Sequence, residues 1–193
     1  MDSPTVCMGK CVSLVDSSRH LAFGMNSLEI QLRLADPTDA SLIHDVALAT
    51  WEPTYRNIIS QEQIAIMFED LLSLPAIQRQ IVNHEGVYVL ALVEGNTQGF
   101  AYFNASDRDS AIYKLHRLYV RTGHQHVGIG GALLRYVEGA VVEAGGQELR
   151  LNVNRYNTAQ EFYRKQGYEV IDTVDIPYKH FWLNDFVMKK ALR

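Results

Sequence analysis

Residues 116–141, HRLYVRTGHQHVGIGGALLRYVEGAV, place three histidines and five glycines between an apolar run and a helix-like pattern. Three chemistries use such residues: a histidine metal site, a dinucleotide fingerprint, or a backbone cradle for some other anion. His124 and His126 have no acidic or thiol partner close in sequence, so a metal ligand set is incomplete and no metal is expected. Counted from Gly128, the dinucleotide pattern G-x-G-x-x-G/A meets Leu133 at its sixth position. A P-loop needs Lys and then Ser or Thr, where Gly130 is followed by Gly131 and Ala132. What remains is Q/R-x-x-G-x-G/A between a strand and a helix. Glycine lets the backbone approach a ligand, and the unpaired first-turn amides lie at the positive end of the helix dipole. Phosphate suits that place. Each amide bonded to a charged oxygen contributes about 1.5–3 kcal/mol, so a few of them anchor a pyrophosphate.

The elements that hold this loop follow from periodicity. LEIQLRLAD alternates Leu28, Ile30, Leu32 and Leu34 with polar residues, which predicts a half-buried strand. DPTDASLIHDVALATWEPTY offers Asp36 as N-cap and Leu42, Ile43, Val46 and Ala47 at helical spacing, with an end expected near Pro53. A second helix starts at a Ser60-x-x-Gln63 capping box, and a short third one covers AIQRQIV. GVYVLALVEGNTQGFAYFNAS reads as a hairpin turning at Gly95 and Asn96, and YKLHRLYV as the next strand. After the glycine loop, ALLRYVEGAVVEA is a helix with Leu133, Leu134, Val137 and Val141 on one side. ELRLNVN is a strand, TAQEFYRKQG a short helix capped by Asn157 and stopped by Gly167, and YEVIDTV and DFVMKKA close the chain. The order βααβββαβαββ implies an α/β (α+β) architecture, a mixed sheet with helices packed against it.

Composition narrows the function classes. The 193 residues are 47% apolar and 21% charged, with a net charge of −4. That is ordinary globular composition without the basic field of a nucleic-acid binder, so nucleic acid is not an expected partner. No apolar run approaches the roughly 18 residues of a membrane span, and no membrane association is expected. Cys7 and Cys11 read as free thiols in a reducing, cytoplasmic compartment. Residues 1–27 lack a basic n-region and an apolar h-region; they are expected to be a poorly ordered extension, with Met25 a candidate translation start. Residues 28–193 are then one domain.

With these elements in place, LYVRTGHQHVGIGGALL resembles the acyl-CoA signature of the GNAT superfamily of N-acyltransferases, with Gln125, Gly128 and Gly130 at the signature positions. Downstream, NTAQEFYRKQGY is similar to the family's second signature through Asn157, Ala159, Phe162, Tyr163, Gly167 and Tyr168, in a variant with one residue between Asn and Ala. Two such motifs in the right order, joined by the right elements, are far more specific than either alone. The resemblance covers residues 28–192. It implies a mostly antiparallel mixed sheet in which LHRLYV splays from ELRLNVN. The pantetheine arm of acetyl-CoA would lie in the resulting cleft against Leu118 and Val120. The pyrophosphate would sit on the amides of Gln125, His126, Val127, Gly128, Ile129 and Gly130, with Gly131 and Ala132 lining the helix start and Asn157 nearby. A homodimer is compatible with the family, though no residue marks an interface.

Making an amide from a thioester requires a neutral amine and a proton for the departing thiolate. At pH 7 about one alkyl amine in a few thousand is neutral, and the leaving thiol has a pKa of about 8.5. Tyr163 matches the position of the family's general acid. Relatives often supply a carboxylate base from the strand before the glycine loop, but here YKLHRLYV offers Lys114, His116 and Arg117, leaving His116 or a water relay to take the proton. Acceptor choice is expected from TWEPTYRNIISQEQ, where the aromatic faces of Trp51 and Tyr55 and the carboxylate of Glu52 suit a cationic amine. No cysteine lies near either motif, so direct transfer in a ternary complex is expected, to a small molecule, a polyamine or a protein N-terminus. The alternative is a non-catalytic acyl-CoA sensor; a nicotinamide oxidoreductase is the more distant rival.

Overall fold

The computed structural model describes residues 29–106, 109–123 and 128–193. Its elements are β1 (Ile30–Leu34), a 3-10 turn (Pro37–Asp39), α1 (Ala40–Tyr55), α2 (Gln61–Leu72), α3 (Leu74–Val82), β2 (Val87–Val93), β3 (Asn96–Ala105), β4 (Ile112–Val120), α4 (Ile129–Glu143), β5 (Glu148–Asn154), α5 (Ala159–Lys165), β6 (Glu169–Tyr178) and β7 (Phe181–Ala191). The strands form a seven-stranded sheet in the order β1-β2-β3-β4-β5-β7-β6. Every described pairing is antiparallel except β4 with β5.

Alternation along the strands builds two cores, one on each face. Val89, Ala91 and Val93 of β2 join Leu149, Leu151 and Val153 of β5 under α4, whose Ile129, Leu133, Leu134, Val137 and Val141 are fully buried. Tyr88 and Leu90 face the other way, with Phe100 and Tyr102 of β3, against Ile43, Val46, Ile64 and Ile77 of α1–α3. At about 1.5–3 kcal/mol for each large apolar side chain, this burial holds the helices on the sheet.

The entry into α1 is fixed by charge. Asp39, 5% exposed, accepts from Arg33 Nη1 (2.6 Å), Arg33 Nη2 (2.7 Å) and Asp36 N (2.9 Å), while Asp36 Oδ1 accepts from Thr38 N (2.8 Å). Asp36 therefore caps the 3-10 turn that leads into the helix. The Arg33 guanidinium, against the cost of burial, holds the Asp39 carboxyl below the usual aspartate range. Asp39→Ala is expected to cost about 2–3 kcal/mol in urea unfolding at pH 7. Because the folded pKa is depressed, that contribution is present above the unfolded value of about 3.9 and fades as pH falls below it.

The first helix ends two residues past Pro53, at Tyr55, with the proline inside it. Pro53 sits in the last turn, where it removes a single i→i−4 bond. Thr54 Oγ1 bonds Thr50 O (2.6 Å), Arg56 N bonds Glu52 O (2.9 Å), and the Trp51 and Tyr55 rings lie 4.5 Å apart, which together carry the helix onward. At α2, Ser60 Oγ accepts from Gln63 N (3.1 Å), while the Gln63 amide turns to Met67 Sδ (3.8 Å).

Candidate active site

The parallel pair β4–β5 is the place where the sheet comes apart. Their register runs from Ile112–Glu148 to Leu115–Leu151 and then ends. Beyond it, β4 continues against β3 as far as Val120–Gly99, and β5 against β7 as far as Asn154–Asp185. Each strand keeps its outer neighbour while residues 116–120 and 152–154 separate. This opening is the splayed cleft expected between LHRLYV and ELRLNVN.

A bulge starts it. On β3, Tyr102 faces Arg117 and the next residue, Phe103, faces Leu115, so His116 is one residue too many. Arg117, 9% exposed, fixes the distortion: its Nη1 donates to Gln80 Oε1 (3.0 Å) and to the Tyr88 hydroxyl (2.7 Å), and its guanidinium lies 4.9 Å from the Tyr102 ring centre. Tyr88 in turn donates to Gln80 Oε1 (2.6 Å). His116 is exposed over the Tyr102 ring, and its Nε2 donates to Asn104 Oδ1 at 2.8 Å. One edge of the ring meets solvent, but desolvation of the rest within the protein, and then Lys114 and Arg117 nearby, lower its pKa to about 4. The ring is neutral throughout the physiological range, so His116→Ala is expected to leave the shape of the activity profile between pH 6 and 8 unchanged; kcat/KM against pH for the two proteins checks this.

At the far end of the opening stands the start of α4. Gly128 is its N-cap, at φ 87° and ψ 0°, a left-handed conformation natural to glycine, and no side chain caps the helix. The first described intrahelical bond, Ala132 N to Gly128 O (2.9 Å), lies beyond the amides of Ile129 and Gly130. A Cβ on Gly130 would stand 3.6 Å from Phe162 and 3.7 Å from Leu118, so the first turn of α4, strand β4 and α5 meet there, and with them the two sequence motifs. A Cβ on Gly131 would meet Arg135 Nη1 at 3.1 Å. Leu118 and Val120 turn their side chains toward the α4-side core. Gln125, His126 and Val127, like His124, lie outside the described residues. Asn157 Oδ1 accepts from Ala159 N (2.9 Å), and so anchors the start of α5.

Tyr163 of α5 belongs to the α4-side core and lies within electrostatic reach of Tyr55 and of Tyr119, which stands on β4 beyond its last pair with β5. Tyr163 is 9% exposed, edge-on to Phe162 (5.2 Å) and Tyr168 (5.8 Å). Burial, and secondarily Tyr55, raise its pKa well above the ordinary phenol value, with no hydrogen bond in opposition. From the other face, Tyr55 and Tyr119 bring their hydroxyls within 3.3 Å of each other. Trp51 is 4% exposed and its indole N–H donates to Ile64 O (2.9 Å); it backs the Tyr55 and Tyr119 rings at 4.5 and 6.0 Å. Glu52 pairs with Arg56 at 2.9 Å on the outside of the helix. Of the three residues expected at the acceptor, the geometry thus brings Tyr55 to the tyrosine cluster, keeps Trp51 behind it and turns Glu52 away.

One group escaped the sequence reading. Asp185 of β7 faces Asn154 in the ladder, and Asn152 Nδ2 approaches its Oδ2 at 3.4 Å. Burial raises its pKa above the usual aspartate value, opposed by Asn152, Lys114 and Arg155. Lys114 is pushed the other way by burial, below the usual lysine value, with Asp185 opposing. The signal was present in the phase of the strand: Phe186 and Met188 point to the α4-side core, which puts Asp185 on the opposite face with Leu183. Among the described residues no group of three or more His, Cys, Asp or Glu is placed to hold a metal.

Comparison with known proteins agrees with this fold. Residues 56–192 match the family model described as acetyltransferase (GNAT) domain. The chain belongs to the GNAT acetyltransferase family. It is 27% identical over 168 residues to a spermidine N(1)-acetyltransferase of Thermoplasma acidophilum, covering 84% of this chain and 98% of the relative. An uncharacterised N-acetyltransferase of Mycobacterium tuberculosis is 27% identical over 80% of this chain and 99% of its own. Among solved structures, PaiA N-acetyltransferase from Thermoplasma acidophilum in complex with coenzyme A superposes with a TM-score of 0.74 at 27% identity, over 85% of this chain and 99% of that one. A GCN5-related N-acetyltransferase from Rhodopseudomonas palustris shares the fold, with a TM-score of 0.71 at 21% identity over 89% of this chain and 99% of that one. As a GNAT member the protein is an acyltransferase. None of its described helices is long and apolar enough to cross a membrane.

Proposed function

We propose that the protein transfers the acetyl group of acetyl-CoA to a primary amine in the cytoplasm, by direct attack within a ternary complex. The observation that carries this reading is the opening between β4 and β5, with the uncapped start of α4 at one end and Tyr163 at its side. The residues fit the thioester: the first-turn backbone at Ile129 and Gly130 offers amides to a diphosphate, and the separated strand edges offer backbone to an amide-bearing arm. Bound there, the thioester supplies an activated acetyl group.

The chain supplies position and protons. Tyr163, held neutral by its raised pKa, donates to the departing sulfur. The tyrosine cluster of Tyr55 and Tyr119, backed by Trp51, forms an aromatic wall on the acceptor side, suited to an alkylammonium group. The proton of the attacking amine leaves through water or a side chain bordering the opening; His116 is a weak base for it, because desolvation first, and then Lys114 and Arg117, disfavour its charged form. A relative named for spermidine, aligned over 84% of the chain, supports a polyamine among the acceptors, beside other small amines and peptide N-termini.

The test is thiol release from acetyl-CoA in the presence of an amine panel containing spermidine, a monoamine and a peptide with a free N-terminus, with the product identified by mass. Acetylated amine in step with free thiol is the expected result. Coenzyme binding without turnover on any acceptor would make the protein a sensor instead.

A further inference from the structure

An acceptor amine arrives protonated, so the site needs a group that attracts an ammonium ion and takes its proton as the new bond forms. The carboxylates on the α1–α3 side are mostly committed: Glu52 to Arg56, Glu62 to His180 and Asp70 to Lys179. Asp185 is not in an ion pair among the described residues, and its described hydrogen-bond partner is the Asn152 amide.

Its position follows from register. Leu151 is the last β5 residue paired with β4, so Asn152 and Asn154 already border the opening. Leu149, Leu151 and Val153 fill the α4-side core, which directs Asn152 and Asn154 to the α1 face, and Asp185 lies across from Asn154 on that face. Lys114, next to core-facing Leu115, comes to the same face from β4. Tyr55 comes to it from α1, close enough for the Asp185 charge to act on its hydroxyl. A partly buried carboxylate with an amide and an aromatic hydroxyl nearby is the chemistry that recognises a primary ammonium group.

We propose that Asp185 is the acceptor-binding carboxylate of this site, pairing with the reactive ammonium of a primary alkylamine and receiving its proton during transfer. The proposal rests on the acetyl-transfer reading above. In the step, the bound ammonium first gives one proton to Asp185, which frees the nitrogen lone pair. As the nitrogen bonds to the thioester carbonyl carbon and the carbon–sulfur bond breaks, the sulfur takes the proton of Tyr163 and the second N–H proton passes to water in the opening. Bulk water then removes the proton from Asp185 and returns one to Tyr163, so that one proton is released per turnover. The charged and titratable groups that act on Asp185 or feel its charge are Lys114 from β4, Arg155 after β5 and Tyr55 from α1, and Arg155 is itself paired with Asp175 of β6. Lys114 and Arg155 favour the ionised carboxylate against the effect of burial.

The experiment compares wild type, Asp185→Asn and Asp185→Glu from pH 6 to 9.5, with acetyl-CoA and whichever panel amine the wild type turns over fastest. The carboxylate lets wild type use the abundant ammonium form, so its kcat/KM is nearly flat over this range. The Asn variant depends on free amine. Its kcat/KM is expected to fall by about 10²–10⁴ at pH 7 and to recover about tenfold per pH unit toward the amine pKa of about 10.4. Coenzyme A affinity, read by calorimetry, stays within about twofold in both variants, and Asp185→Glu keeps partial activity with the flat profile. A loss that is the same factor at every pH, an Asn variant with undiminished kcat/KM at pH 7, or a Glu variant that acquires the tenfold slope would each overturn the assignment. If Asp185→Asn does not fold, the Glu profile alone decides in the same way. Failure of the wild type on every amine would remove the transfer reading itself, and this one with it.

Discussion

Tyr163→Phe is expected to lower kcat for acetyl transfer by about 10²–10⁴, about 2.7–5.5 kcal/mol in the barrier, while coenzyme A affinity stays unchanged. The ring has structural work of its own, edge-on to Phe162 and Tyr168, and phenylalanine keeps those contacts. What it loses is the hydroxyl. Burial holds that hydroxyl protonated far above neutral pH, so it is always loaded, but the same shift makes it a weaker acid than the thiol of reference pKa about 8.5, so its hydrogen bond and proton stabilise the sulfur as the carbon–sulfur bond breaks. Since kcat and KM for the coenzyme separate, steady-state kinetics with a calorimetric Kd distinguish lost proton donation from lost packing. A variant as active as wild type would leave Tyr163 a core aromatic and nothing more.

Gly130→Asp is expected to raise the Kd for coenzyme A at least about 100-fold, some 2.7 kcal/mol. The position lies where α4, Leu118 and Phe162 converge, and a Cβ there would touch both side chains at van der Waals distance, 3.6–3.7 Å. A methyl group makes ordinary contact there, so Gly130→Ala is the mild control. An aspartate adds a carboxylate beside amides suited to a diphosphate, repelling the ligand and competing for its donors. The same negative charge is favourable in the first turn of a helix, so thermal stability is expected to be retained. Binding and folding thus move apart, which a titration and a melting curve read independently. Equal affinity for both proteins would remove the diphosphate from this turn.

The readable part of the sequence was the part governed by local periodicity and short motifs. Alternation in LEIQLRLAD and ELRLNVN set strands whose buried faces are the ones observed, and the helix after the glycine loop buries Leu133, Leu134, Val137 and Val141 as its spacing required. The two motifs, some thirty residues apart in the chain, converge at Gly130 and Phe162. What the sequence concealed depends on distant partners. The bulge at His116 is held by Arg117 through Gln80 and Tyr88, separated from it by 37 and 29 residues. Trp51 reads equally well as a ligand contact or a packed ring until Ile64 O is found on its indole nitrogen. Asp185 reaches the opening only because β7 inserts between β5 and β6, an order that no local pattern in DFVMKKA announces.

The central claim is that the turn at Gly128 and Gly130, with the strands that part beside it, holds the diphosphate of coenzyme A. Isothermal titration of the full chain with coenzyme A tests it most directly. The account predicts saturable one-to-one binding in the range of about 1 μM to 1 mM usual for enzyme substrates, abolished or severely weakened in Gly130→Asp at unchanged melting temperature. An absence of saturable heat up to millimolar coenzyme, or binding that ignores the substitution, would contradict it.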